Sequence, residues 1–114
     1  MNLFFFWRIG ILGTFPALNT RSDDILDDWL KEITTALGPN EKSSPFAPYG
    51  VNLIVHKTNQ RLEKNLEKVI KYKVPLVISS LGANKNVIDA VHGYGGLIFH
   101  DVTNPIHAKK AADV

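Results

Sequence analysis

The sequence predicts an α/β domain in which parallel β-strands alternate with helices. Short, almost uninterrupted apolar runs lie at residues 50–55, 76–79 and 96–100, and each is followed by a polar turn and then by an amphipathic stretch. Strands that are apolar on both faces are typical of parallel sheets covered on both sides, and their alternation with helices is the pattern of β/α units. With a further strand expected at residues 9–13, the chain should hold about four such units.

The first helix is predicted to begin after Ser22 and to end at Gly38. Ser22 is a suitable N-cap, and Asp23 and Asp24 place negative charge in the first turn, where it favours the helix dipole. Apolar residues then recur at helical spacing. Gly38 is followed by proline, a pair that ends a helix. Residues 40–48 should form the loop that leads to the second strand.

Residues with short polar side chains mark the predicted starts of the other helices. Thr58 or Asn59 can cap the second helix. Asn84 can cap the third and Asn104 the fourth, because each offers a side-chain oxygen to the free N–H groups of the first turn. Pro105 suits the first position of the fourth helix. The apolar face of the second helix is expected to comprise Leu62, Leu66, Val69 and Ile70.

Composition excludes several classes of function. The net charge is +2, with both signs interspersed, so there is no electrostatic case for nucleic acid as a partner. The chain has no cysteine, which excludes disulfides and thiolate sites and fits a reducing, cytoplasmic compartment. The apolar segment at residues 1–8 lacks signal-peptide features and is too short to cross a bilayer. We therefore expect an atypical N-terminal tail and no membrane partner.

Polar residues cluster where the predicted strands end, which is where parallel β/α proteins bind their ligands. The residues at these ends are His56, Ser79, Ser80, His100 and Asp101. Asn52 is the strongest candidate site residue, because an amide within an apolar strand needs hydrogen-bond partners. The alternative is that Asn52 bonds only to neighbouring backbone.

The remaining candidates each have a structural alternative. Ser79 and Ser80 could line a pocket or simply complete a loop. His100 and Asp101 could meet a ligand or belong to the turn before the fourth helix. A metal site from His56, His100 and Asp101 is conceivable because strand ends converge, but their spacing resembles no known metal motif.

Four segments of the chain, in order, resemble the nitronate monooxygenase family, formerly called 2-nitropropane dioxygenase. They are residues 13–19 (GTFPALN), 49–56 (YGVNLIVH), 74–82 (VPLVISSLG) and 95–104 (GGLIFHDVTN), and residues 107–112 (HAKKAA) resemble the helix that follows. The resemblance runs from about Ile9 to Val114. It implies an FMN-dependent enzyme that oxidises alkyl nitronates with O2, and it makes residues 9–114 part of a (β/α)8 TIM barrel.

The resemblance also implies roles for particular residues. Asn52 matches the family's flavin-contacting asparagine within Gly-Val-Asn, so it is expected to contact FMN, while Ser79 and His100 are expected in the substrate pocket. Related subgroups carry lysine at the position of Asp101, so no role transfers to it.

The family's catalytic histidine and its FMN phosphate-binding segments are expected beyond Val114. No catalytic residue or metal is therefore assigned within the chain. Because a full barrel needs about 250 residues, the 114-residue chain is expected to be an inactive fragment that self-associates, aggregates or is molten. The alternatives are a non-catalytic β/α binding domain and a remnant without function.

Overall fold

The structure, a computed structural model, describes residues 7–38 and 46–114. Its strands are β1 (Gly13–Pro16), β2 (Tyr49–Ile54), β3 (Leu76–Ser80) and β4 (Leu97–His100). They form one parallel sheet in the order β1-β2-β3-β4. The helices are α1 (Asp23–Leu37), α2 (Leu62–Lys71), α3 (Lys85–Gly93) and α4 (Pro105–Ala112), and a 3₁₀ turn spans Ala17–Asn19. The predicted alternation of parallel strands and helices is confirmed.

One face of the sheet packs against the helices and forms the core. Phe15, Val51 and Val77 are register neighbours on β1, β2 and β3, and each is at most 1% exposed. Helix α1 contacts α2, and α2 contacts α3, so these three helices form a single layer. Burial of this face supplies the main stabilising term, since each fully buried aliphatic side chain contributes roughly 1.5–3 kcal/mol.

The other face of the sheet has no helix layer within residues 7–38 and 46–114. We call it the open face; it comprises Thr14, Pro16, Gly50, Asn52, Ile54, Leu76, Ile78, Ser80, Leu97 and Phe99. Its centre is sheltered because Thr14 and Leu76 close over Gly50, where an added Cβ would lie 2.9 Å from Thr14 Cγ2. The second covering layer that the apolar strands predict is therefore not seen within the described residues.

The first strand begins later than predicted. Residues 9–12 are not in a strand, Gly10 turns the chain with φ +82°, and β1 starts at Gly13. Trp7 causes the shift: its ring packs where a Gly13 Cβ would be, 2.7 Å from Nε1, and Nε1 donates to the Gly13 carbonyl at 3.3 Å. Trp7 is only 1% exposed, so this part of the predicted tail belongs to the core. Residues 1–6 lie outside the described residues.

Three of the predicted caps are present. The side chains of Ser22, Asn84 and Asn104 accept hydrogen bonds from backbone N–H groups in the first turns of α1, α3 and α4. Helix α2 starts at Leu62, later than predicted, because Asn59 is used in the preceding turn: it donates to the Ile54 carbonyl at 2.8 Å and accepts from the Arg61 N–H at 3.0 Å. Of the predicted loop, residues 40–45 lie outside the described part of the chain.

A charged cluster joins α1 to α2. Asp27 accepts hydrogen bonds from Lys71 at 2.8 Å and from Tyr72 at 3.0 Å, and Lys68 lies 3.3 Å away. The hydrogen bond from Lys71, with those from Tyr72 and Lys68, lowers the pKa of the Asp27 carboxyl to about 2. Lys68 and Lys71 of α2 therefore share one carboxylate partner on α1.

Candidate functional site

The candidate site lies at the carboxyl ends of β2, β3 and β4, on the open face. Asn52 is the third-last residue of β2, Ser80 is the last residue of β3, and Asp101 directly follows β4. The Asp101 N–H donates to the Ser79 carbonyl at 3.2 Å, which extends the β3–β4 pairing by one residue. This backbone bond holds the Asp101 carboxylate next to the end of β3.

These three side chains are linked by hydrogen bonds, and we call them the amide–hydroxyl–carboxylate chain. Asn52 Nδ2 donates to Ser80 Oγ at 2.5 Å and to the Ile78 carbonyl at 3.1 Å, and Ser80 Oγ donates to Asp101 Oδ2 at 2.5 Å. Ser80 is 5% exposed and Asn52 is half-buried, so the links are partly shielded from water.

The direction of this chain is fixed by its two ends. The Ile78 carbonyl can only accept, so the Asn52 atom facing it must be the NH2 group. A carboxylate also only accepts, so the Ser80 hydroxyl donates to Asp101 and must itself accept from Asn52. Both Nδ2 protons are thereby used. Within the described residues Asn52 Oδ1 receives no hydrogen bond, so the site offers a ligand a fixed acceptor.

Ser79 and His100 lie on the opposite face of the sheet from Asn52. They are register neighbours of each other, and Ser79 is the register neighbour of core residue Leu53. Ser79 is fully buried and donates its hydroxyl to the Gly82 carbonyl at 2.9 Å. His100 is half-buried, and its Nδ1 is buried without a hydrogen-bond partner in the described part of the chain. The structure therefore does not bring these two residues together with Asn52.

A cavity of about 450 Å³ opens beside Asp101. It is bounded by the turn after β3, the turn after β4 and helix α4. Its charged or titratable side chains are His56, Asp101, His107 and Lys110, and its apolar ones include Leu81, Ala83, Val102 and Ala111. Asp101 belongs both to this cavity and to the amide–hydroxyl–carboxylate chain, so the two features adjoin.

The turn after β3 shapes this cavity with an unusual backbone. Leu81 has φ +63° and Gly82 has φ +140°, and only glycine adopts such values readily. A bulky residue in the left-handed region is strained, and strain of this kind concentrates at functional sites. The Ser79 hydroxyl, bonded to the Gly82 carbonyl, braces the turn. Ser79 thus has a positioning role beside the cavity although it does not face it.

Both histidines of the cavity have one ring nitrogen engaged. His56 Nδ1 accepts from the Thr58 N–H at 3.3 Å and lies 2.9 Å from the Thr58 hydroxyl. His107 Nδ1 lies 3.2 Å from the Thr103 hydroxyl. Each imidazole therefore keeps Nε2 for another partner.

In the part of the chain that the structure describes, no three His, Asp or Glu side chains come together in a way that could hold a metal ion. None of the helices within residues 7–38 and 46–114 is long and apolar enough to cross a bilayer.

Comparison with known proteins yields no assignment. No protein-family model matches the chain, and no curated protein matches it.

The sequence singles out Asn52 but does not link it to Ser80 and Asp101. It offers Ser80 only together with Ser79, and the family resemblance transfers no role to Asp101. The missing signal is strand register: Asn52 pairs with Ile78, which places Ser80 and not Ser79 on the same face. Side chains alternate between the two faces of β3, so Ser79 and Ser80 must lie on opposite faces. The sequence of β3 alone does not say which of them faces Asn52.

Proposed function

We propose that this chain belongs to an FMN-dependent enzyme of the nitronate monooxygenase type, built on a (β/α)8 barrel, that oxidises alkyl nitronates with O2. The observation that carries the proposal is the orientation of Asn52. The residue that matches the family's flavin-contacting asparagine sits at the ligand-binding edge of a parallel sheet. Its NH2 group donates to the Ile78 carbonyl and to the Ser80 hydroxyl, and Oδ1 remains as an acceptor.

The described residues suit the ring system of FMN. The pyrimidine part of an isoalloxazine carries an N–H donor, which matches the acceptor at Asn52 Oδ1. Ile78 and Phe99 are neighbours of Asn52 in the same register row and supply apolar surface for a flat ring. FMN, when bound, would accept the electrons of the nitronate. The contribution of the chain would be to orient the ring and to limit its contact with water.

The cavity beside Asp101 is the substrate region in this proposal. An alkyl nitronate joins a small anion to an apolar chain. Lys110 and the Nε2 groups of His56 and His107 can face the anion, while Leu81 can face the alkyl group. This placement replaces the expected pocket at Ser79 and His100, which lie on the helix-covered face.

Flavin titration tests the proposal in a complete enzyme that carries this segment, since the resemblance places the FMN phosphate-binding segments beyond Val114. We expect FMN fluorescence to be quenched on binding and Asn52→Leu to weaken binding by about two- to tenfold, the range for one lost hydrogen bond. Asn86→Leu is the matched control, because Asn86 is exposed on α3 and should leave the affinity unchanged. Circular dichroism of both variants checks that the fold persists.

Oxygen uptake with propyl-2-nitronate then tests the reaction itself in that complete enzyme. FMN binding that is the same in Asn52→Leu and in the unsubstituted protein would remove Asn52 from the flavin site. Absence of any FMN binding by a complete enzyme that carries this segment would overturn the proposal as a whole.

A second candidate function is a non-catalytic domain that binds a partner through the sheet. The exposed apolar residues Leu97 and Phe99 favour it. This candidate predicts association without flavin, so the two functions are separated by whether FMN is retained through gel filtration.

A further inference from the structure

Both edges of the sheet are free within the described residues. Strand β1 pairs only with β2, and β4 pairs only with β3, so each outer strand has a row of N–H and C=O groups without strand partners. The open face between these edges carries no Asp, Glu, Lys or Arg at any strand position. Proteins that do not associate through a sheet usually carry charged side chains on its edge strands. Because β1 and β4 have none on the open face, these edges have little protection against association.

Apolar exposure on the open face is concentrated at one edge. On β4, Leu97 is 62% exposed and Phe99 is 56% exposed, whereas Leu76, the register neighbour of Leu97 on β3, is 5% exposed. On the opposite edge, β1 presents the smaller Thr14 and Pro16, both exposed. The face therefore has a large-residue edge and a small-residue edge.

We propose that a second copy of this chain covers the open face, with β4 of each copy beside β1 of the other. A two-fold axis makes the two contacts identical. The four described strands of each copy give eight, the number at which a barrel interior is just filled by side chains. The helices α1–α3 lie on the outer side of the sheet, as this closure requires.

The side-chain sizes favour this pairing over the alternative in which two β4 strands meet. Beside β1 of the partner, Leu97 and Phe99 would face the small residues Thr14 and Pro16, and barrel interiors commonly alternate small and large residues in this way. Two β4 strands together would place large residue against large residue. Pro16, the last residue of β1, removes one donor only at the end of the seam, where the strand gives way to the 3₁₀ turn.

Closure would also cover the candidate site. Asn52 and Ser80 lie on the open face, so a second copy would supply the opposite wall of the space around them. The low net charge of +2 per copy opposes association only weakly. The inference rests on the observed sheet and not on flavin chemistry, because its first test measures mass alone.

Light scattering after size exclusion is the first test. We expect the 114-residue protein to have twice the chain mass of 12.7 kDa. Phe99→Lys and Leu97→Lys should each raise the dimer dissociation constant by at least about tenfold, the effect of removing a central apolar contact. Both side chains are already exposed in one copy, so these variants should keep their fold, which circular dichroism checks. Ile70→Lys is the matched control, since Ile70 is an apolar residue 41% exposed on α2, and the variant should remain a dimer.

Crosslinking identifies the seam. The chain has no cysteine, so Thr14→Cys and Leu97→Cys introduce unique thiols. A short bismaleimide should join two chains in the double variant and join far fewer in either single variant. A monomer at 100 micromolar, an assembly larger than two chains, or efficient crosslinking of Leu97→Cys alone would overturn the proposal.

Discussion

Replacing Asn65 by alanine should leave the protein at least as stable as before, although the Asn65 side chain is completely buried. Asn65 lies on the inner side of α2 and is 0% exposed. Neither its Nδ2 nor its Oδ1 has a hydrogen-bond partner within the described residues. A buried amide with both ends unpaired destabilises the folded state, because the unfolded chain lets water satisfy the same atoms.

The magnitude follows from three contributions. Removing an unsatisfied buried polar group stabilises by about 1–3 kcal/mol. Alanine is favoured over asparagine in a helix by roughly 0.5 kcal/mol. The small cavity left behind costs on the order of 1 kcal/mol. The sum predicts a net gain of about 0.5–2.5 kcal/mol, or a Tm increase of roughly 2–10 °C for a domain of this size.

Thermal unfolding followed by circular dichroism measures this change. Val69→Ala is the matched control, since Val69 lies one turn later on the same helix and is also 0% exposed. That variant removes only apolar contacts and should lose about 2 kcal/mol. If Asn65→Ala instead loses 1 kcal/mol or more, the amide is satisfied in solution, for example by a buried water, and the reasoning is refuted.

Three further predictions concern pH, packing and the site. The pKa of Asp27 is about 2 in the folded state against an ordinary 3.8, so its stabilising contribution is complete above about pH 4 and is lost as the pH falls toward 2. Urea midpoints of Asp27→Asn should therefore vary less over that interval than those of the unsubstituted protein. Gly50→Ala should lose about 1–3 kcal/mol in urea unfolding, because the new Cβ would lie 2.9 Å from Thr14 Cγ2. Gly93→Ala meets nothing within 4 Å and should be neutral or stabilising. Ser80→Ala should weaken FMN binding in the titration described above, because Asn52 loses the acceptor that fixes its amide; unchanged affinity would show that this contact does not orient Asn52.

Features set by a few neighbouring residues were predictable from the sequence. The caps at Ser22, Asn84 and Asn104 each depend on one side chain and on N–H groups two or three residues away. The strands β2, β3 and β4 were located to within one residue, because each is a short apolar run bounded by polar or turn-forming residues.

Features set by distant contacts were not predictable in the same way. Strand β1 was placed four residues too early, because the docking of Trp7 on Gly13 decides where pairing begins. Helix α2 was expected to bury Ile70, which is 41% exposed, while Asn65 is buried instead. Helical periodicity gives the angular separation of these residues, but the sheet beneath the helix decides which of them faces inward.

The same distinction explains the candidate site. Asn52 could be identified from its own strand, since an amide is out of place in an apolar run. The selection of Ser80 over Ser79 requires the β2–β3 register, and the selection of Asp101 over His100 requires the register of β4 as well. Each choice between adjacent residues is a choice between opposite faces of the sheet, which no pattern within a single strand determines.

The open face connects the site to the proposed association. While Asn52 is half-exposed, water can satisfy Oδ1 at little cost, and the amide–hydroxyl–carboxylate chain has only a modest effect on stability. Covering the face would exclude that water, and an unpaired acceptor would then cost free energy unless a donor met it. A second copy that closes over the face would therefore strengthen selection for a ligand with an N–H group at this position. The proposed enclosure of the sheet and the proposed recognition of a flavin ring would in this way be physically coupled, although each is tested by a separate measurement.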